Sequence, residues 1–214
     1  MNELGQHKTV KLLRILYPVW MIAGMFSIMY VQSSLVDYNN AGVTAENISS
    51  NELLFRVGIV GRLVTQLLYI IIPLLLYQLF KSTNKIQALL MVILALVSVP
   101  ITMHNETYQL MAIQFVQEPE MMMNYLNTYT EGMTISMLFW GLWLFPLGYL
   151  AYKSGYFPKL IGILLIIGGV GYTLGILVEL LFPDMTALKS VLEVLTFGEV
   201  IFILWLVFMG IRKK

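Results

Sequence analysis

The chain predicts an all-α polytopic membrane protein, six transmembrane helices in one bundle with both termini cytoplasmic. Three observations carry that expectation. Of 214 residues, 58% are hydrophobic and only 12% are charged, against about 25% charged in a soluble domain; a chain of this length cannot hide so much apolar surface in one water-facing core. The apolar residues fall into six runs, each near the roughly 20 residues needed to cross a hydrocarbon layer about 30 Å thick. Basic residues then gather on one side of those runs. The same arithmetic excludes a soluble enzyme, a disordered chain and a disulfide scaffold. A formal charge of +1 leaves no footprint for nucleic acid. With no cysteine, disulfides, thiolate metal sites and cysteine nucleophiles are all excluded.

The spans follow in order. The first, residues 12–31, comes after Lys8, Lys11 and Arg14. Its apolar run is too long for a signal peptide and no small-residue cleavage site follows, so it reads as an uncleaved first helix. The second covers 53–80 and the third 86–103. The fourth covers 133–152, the fifth 160–182 and the sixth 191–211. Pro73, Pro100 and Pro146 fall inside spans, where neighbouring helices can re-satisfy the freed carbonyls.

Orientation follows from the basic residues. Lys8, Lys11, Arg14, Lys81, Lys85, Lys153, Lys159, Arg212, Lys213 and Lys214 share the side of the N-terminus, against Lys189 alone in a loop opposite. Most acids lie on that opposite side, with only Glu3 clearly inside. Tyr17, Trp20, Tyr77, Tyr152 and Tyr156 read as an aromatic belt at the inner interface. The inner loops are short. Two outer segments, 33–52 and 104–132, read as long loops; the apolar stretch 108–116 in the second is either an interfacial helix or an extension of span three. Both carry a glycosylation sequon, at Asn47 and Asn105, a short pattern that arises often by chance.

Ionisable residues inside spans are costly, at about 2.5–3.5 kcal/mol or more each, and are therefore functional candidates. Arg62 lies within span two, with Gln66 and Tyr69 on the same helical face. Glu199 lies within span six at a similar calculated depth. An Arg62–Glu199 ion pair is the expectation, serving either to fix helix register or to bind a ligand or ion. Glu179 shares a face of span five with Tyr172 and Gly175, and these groups converge on a polar pocket in the outer half. Arg56, His104 and Glu193 stand at its mouth. Methionines 21, 25 and 29 form one stripe on span one, and Met121, Met122 and Met123 cluster in the outer segment. Thioethers suit Cu(I), but methionine is also a packing residue, and no cofactor or metal is expected. Gly171 and Gly175 in span five match a close-packing motif, used first within the chain, with a homo-oligomer as the alternative.

The second half carries a distinctive run. Trp140-Gly141-Leu142-Trp143-Leu144-Phe145-Pro146-Leu147-Gly148-Tyr149 is followed by Tyr152-Lys153-Ser154-Gly155-Tyr156-Phe157-Pro158-Lys159, then by Gly168-Gly169-Val170-Gly171-Tyr172 and by Gly198-Glu199 with Leu204-Trp205-Leu206. In this the chain resembles DUF4386, a bacterial family of integral membrane proteins of unknown function, most strongly over residues 53–212. The resemblance implies a membrane domain of about six helices in the bacterial plasma membrane and no established activity. Independently of it, Gly155 suits a positive φ at a helix end, and Pro158 suits the start of the next helix.

Three functions compete. The first is binding or transport of a small ligand or ion in the outer-half pocket. The second is a structural or regulatory protein with an intramembrane partner, as the short inner loops and glycine-rich span five suggest. The third, ranked last, is an enzyme acting on a lipid, with Glu179, Glu193 and His104 as acid–base groups. The partners expected are membrane lipids and a small-molecule or ion ligand, with no nucleic acid, and a second copy of the chain through the glycine-rich fifth span as the alternative.

Overall fold

Helices account for nearly all of the chain, and the computed structural model describes residues 3–212. Lys213 and Lys214, counted above with the N-terminal side, lie outside the described residues, as does the Glu3 side chain. Helix α1 (Glu3–Gly24) passes into a π-helical segment, Met25–Tyr30, and then into α2 (Val31–Leu35). After α3 (Ala41–Ser50) come two long helices, α4 (Glu52–Phe80) and α5 (Lys85–Gln114). Next are α6 (Pro119–Leu142), α7 (Leu144–Ser154), α8 (Lys159–Leu181), α9 (Thr186–Leu195) and α10 (Gly198–Phe208). Joined end to end where breaks are short, they make 6 helices long and apolar enough to cross a membrane.

The helix starts follow local chemistry. Asn40 accepts a hydrogen bond from the Val43 amide at 3.0 Å to cap α3, and Asn84 accepts from Gln87 at 3.1 Å to cap α5. Pro119 opens α6, where its missing amide costs nothing. Gly155 ends α7 with φ 74°, as its place in the turn predicted, and Pro158 precedes the first residue of α8.

The outer segments differ from the sequence expectation. Residues 104–132 are not a long loop. Helix α5 runs on to Gln114 and α6 starts at Pro119, leaving only a four-residue turn. The extension of span three is therefore the alternative that holds. Its physical reason is in the buried face of α5, where Ala88, Met91, Val92, Ala95, Ser98 and Val99 continue as Thr102, Asn105, Glu106, Gln109, Ala112 and Ile113. The helical spacing never breaks; only the polarity changes. At 1.5 Å per residue, α5 is about 45 Å long, well beyond the hydrocarbon thickness. Asn105, half of the second sequon, is buried and donates to the Tyr129 carbonyl at 2.6 Å.

Two apolar clusters result, with a polar layer between them. The larger joins α1, α4, α5, α7, α8 and α10 around Tyr17, Ile72, Leu76, Met91, Trp143, Leu147 and Phe202. The smaller joins α2, α3 and the ends of α4, α5 and α6 around Leu35, Ile48, Phe55, Ala112, Met122 and Leu126. Met122 and Met123 thus act in packing. Tyr17 and Tyr156, read from the sequence as lipid-facing belt residues, are buried instead, Tyr17 edge-on to Trp20 and to Phe202.

Glycines set the tightest approaches. The backbones of Gly148 and Gly162 face each other across α7 and α8, so that a Cβ on either would come within 2.7 Å of the other's carbonyl. A Cβ on Gly171 would meet the Leu192 carbonyl at 2.7 Å, and one on Gly141 the Tyr172 side chain at 2.6 Å. The small face of α8 is engaged by α6, α7 and α9 of the same chain. Basic residues tie α1 and the turn after α7 to the C-terminal end of α10: Arg14 Nε donates to the Val207 carbonyl at 2.7 Å, and the Arg212 amide donates to the Tyr156 carbonyl at 2.9 Å.

Candidate functional site

Arg62 stands at the centre of the polar layer, 2% exposed. Its Nε donates to Glu106 Oε2 at 2.8 Å, and its Nη1 donates to the Ser27 carbonyl at 3.0 Å. The Tyr129 ring lies 5.4 Å from the guanidinium carbon, a cation–π distance. The Thr65 hydroxyl donates back to the Arg62 carbonyl at 2.6 Å. The partner of Arg62 is thus Glu106, not Glu199. The reason is topological. Helix α4 packs against α5 along its length, whereas α10 packs against α1 and α8, so Glu199 never faces Arg62. Taking span three to end at Met103 removed Glu106 from consideration.

The Ser27 carbonyl belongs to the π segment, whose widened turn leaves backbone groups available to side chains; such segments recur at functional sites. Two glycines of α4 admit it. A Cβ on Gly58 would lie 2.8 Å from Val31 Cγ1, and one on Gly61 3.2 Å from the Ser27 Cβ. The layer is not saturated. Arg62 Nη2, both amide atoms of Gln109, Gln66 Oε1 and the hydroxyls of Ser27 and Ser136 are buried without a hydrogen-bond partner among the described residues.

Beside the layer, on the other face of the π segment, lies a half-open groove of about 290 Å³. Its first wall is the stripe Met21, Met25 and Met29 with Trp20, Gly24 and Ile28; α4 contributes Thr65, Gln66 and Tyr69. Trp140, Tyr172 and Glu199 close it from α6, α8 and α10. Trp20 stacks on Tyr69 with ring centroids 5.9 Å apart, and Tyr69 in turn meets Trp143 edge-on at 5.3 Å.

Glu199 is the one charged side chain of that wall. It sits in the first turn of α10, where the helix dipole favours an anion. The sixth span places it there by breaking between Leu195 and Gly198, and Gly198 lies directly on the backbone of Leu164 in α8. No lysine, arginine or histidine among the described residues pairs with Glu199, and its carboxylate has no hydrogen-bond partner among them. It stands within electrostatic reach of Tyr17, Tyr69 and Tyr172.

The structure therefore divides the site expected from sequence. It brings Gln66, Tyr69 and Glu199 together at the groove, with Tyr172. It leaves Arg62 in the layer behind it. Glu179 forms an ion pair with Lys189 of α9 instead of entering the pocket. Arg56 is exposed and pairs with Glu52, one turn earlier, at 2.7 Å. His104 is exposed on α5 with its ring against Tyr108, centroids 6.3 Å apart, and Glu193 is exposed on α9. None of these four lines the groove. Sequence reasoning missed Trp20 and Trp140 as wall residues. The methionine stripe was the available signal, since its i, i+4, i+8 spacing already marked one face.

The model of the family described as "Domain of unknown function (DUF4386)" matches residues 15–210, which include every residue of the groove and the layer. The chain belongs to this family. An uncharacterised protein from Archaeoglobus fulgidus is 35% identical over 85 residues, or 40% of this chain and 50% of that protein. The chain thus spans about half the length of that curated relative. No solved structure matches. Membership supports the membrane-protein reading and assigns no activity to the family fold.

Proposed function

We propose that this protein binds a small, largely apolar ligand within the membrane, in the groove between α1 with its π segment, α4, α6, α8 and α10. One observation carries this reading: a preformed groove of about 290 Å³, near the lower end for small-molecule sites, has a mainly aromatic and thioether wall, with Thr65 and Gln66, that holds one carboxylate without a partner among the described residues. Ligand sites are typically apolar with a few placed polar groups. An unpaired acid inside a span is costly unless it is used.

In this reading the Arg62–Glu106 pair is scaffolding. It fastens the π segment through the Ser27 carbonyl and so holds one wall of the groove at a fixed distance from α4. Both termini lie in the cytoplasm of a cell whose plasma membrane holds the protein. The ten basic residues counted on the N-terminal side support this sidedness, and the gathering of Arg14 and Arg212 at one end supports the pairing of the two termini.

The test is a thermal-shift screen of apolar and amphiphilic small molecules on the purified protein and on Gly24→Leu. Gly24 lines the groove, and a Cβ there meets only Thr65 Cγ2 at 3.9 Å, so a larger side chain fills the groove without disturbing the helices. Ligands that stabilise the native protein and not Gly24→Leu are expected. Equal stabilisation of both would place binding elsewhere.

A further inference from the structure

The pairing of the carboxylates in the helices says which ligands the groove would select. Of the glutamates in the helices that could cross a membrane, Glu106 pairs with Arg62 and Glu179 with Lys189, whereas Glu131 on α6 and Glu193 on α9 are exposed and do not line the groove. Glu199 has none among the described residues. The groove it shares is lined mainly by π faces and thioethers, chiefly Trp20, Tyr69, Trp140, Tyr172 and Met25, with the polar side chains of Thr65 and Gln66. Aromatic faces carry negative quadrupole density and attract weakly hydrated cations, quaternary ammonium groups above all. Thioethers are polarisable and adapt to irregular apolar shapes.

An inorganic cation fits this wall poorly. Hard metal ions take about six or more oxygen ligands, or keep several waters. No group of three His, Cys, Asp or Glu side chains stands together among the described residues, and the groove surface is mostly carbon. An organic ammonium needs only what the groove has, a single counter-charge and aromatic contact for its alkyl shell.

We propose that the ligand is an amphiphilic organic cation, an apolar body bearing an ammonium head, with Glu199 as counter-ion and the rings of Tyr69 and Tyr172 packed on the head. This rests on the groove reading above. It adds the sign and chemical class of the ligand, and it explains why the one acid of the wall is placed at a helix start, where an anion is favoured before any cation arrives.

The experiment compares benzyltrimethylammonium with neopentylbenzene, its neutral isostere. Binding is read by tryptophan fluorescence of the protein in nanodiscs of zwitterionic lipid, each probe corrected for partition into protein-free nanodiscs. The expected result is binding of the cation at least tenfold tighter than the isostere. Glu199→Gln should abolish that tenfold difference and leave neopentylbenzene binding as it was, and sodium chloride exchanged for potassium chloride should change neither. Because the preference is measured first on the unaltered protein, it stands or falls even if Glu199→Gln does not fold. Equal binding of both probes, lost in Gly24→Leu, would overturn the cation assignment and keep the groove. A preference that survives Glu199→Gln would overturn the role of Glu199. Binding of neither probe would overturn both readings.

Discussion

Glu106 and Glu199 both stand among apolar helices, one buried and one half-buried, and the chain treats them in opposite ways. Glu106 meets an arginine at 2.8 Å, is 2% exposed, and ties α5 to α4 and, through Arg62, to the π segment. Glu199 meets no cation and borders open space. A paired charge holds structure, and taking away its partner leaves an uncompensated charge in a poor solvent. A charge without a partner costs the resting fold and is available to something that arrives. The difference separates scaffold from site more sharply than position along the chain does, since both residues lie within membrane-crossing stretches.

That contrast is open to attack by substitution. The largest effect should come from the paired side. Arg62→Met leaves Glu106 buried and uncompensated, and a loss of about 3–5 kcal/mol is expected, read by reversible unfolding in micelles. A loss below about 1 kcal/mol would mean the layer is wetter than its burial indicates. Next is Gly198→Leu, which drives a side chain into the Leu164 backbone. About 1–3 kcal/mol should be lost, and ligand binding should weaken too because Glu199 moves with α10. Glu199→Gln removes an unpaired charge, so the ligand-free protein should be as stable as the native chain or more so, while the preference for cations is lost. The smallest effect belongs to Lys189→Ala. Its pair with Glu179 is 38% exposed on both sides, so about 0–1 kcal/mol should be lost, and less at high salt.

The helices were legible because length and hydropathy dictate them; α4 begins and ends within a residue of the expected span, 53–80 against Glu52–Phe80. Arg62 was legible as a residue that needs a partner. Its partner was not, for a reason visible in α5. A hydropathy run stops where Thr102, Asn105, Glu106 and Gln109 begin, although these residues keep the helical phase of the apolar face before them. Reading phase and polarity separately would have carried the helix to Gln114 and offered Glu106 as a candidate. The groove was half legible. Met21, Met25 and Met29 declared a face, and Gln66 and Tyr69 another, but their meeting with Trp140, Tyr172 and Glu199 depends on which helices neighbour which. That is a property of packing between distant segments, and helix α10 reaches the groove by lying against α1 and α8.

The central claim is that Arg62 is neutralised within the fold by Glu106 and that Glu199 is left free. A pair of double-mutant cycles tests it most directly, measuring unfolding free energy for Arg62→Met alone, with Glu106→Leu, and with Glu199→Leu. The expected result is that Glu106→Leu recovers most of the stability lost in Arg62→Met, because it removes the stranded charge, and that Glu199→Leu recovers none of it. Recovery by Glu199→Leu with no coupling to Glu106 would contradict the account.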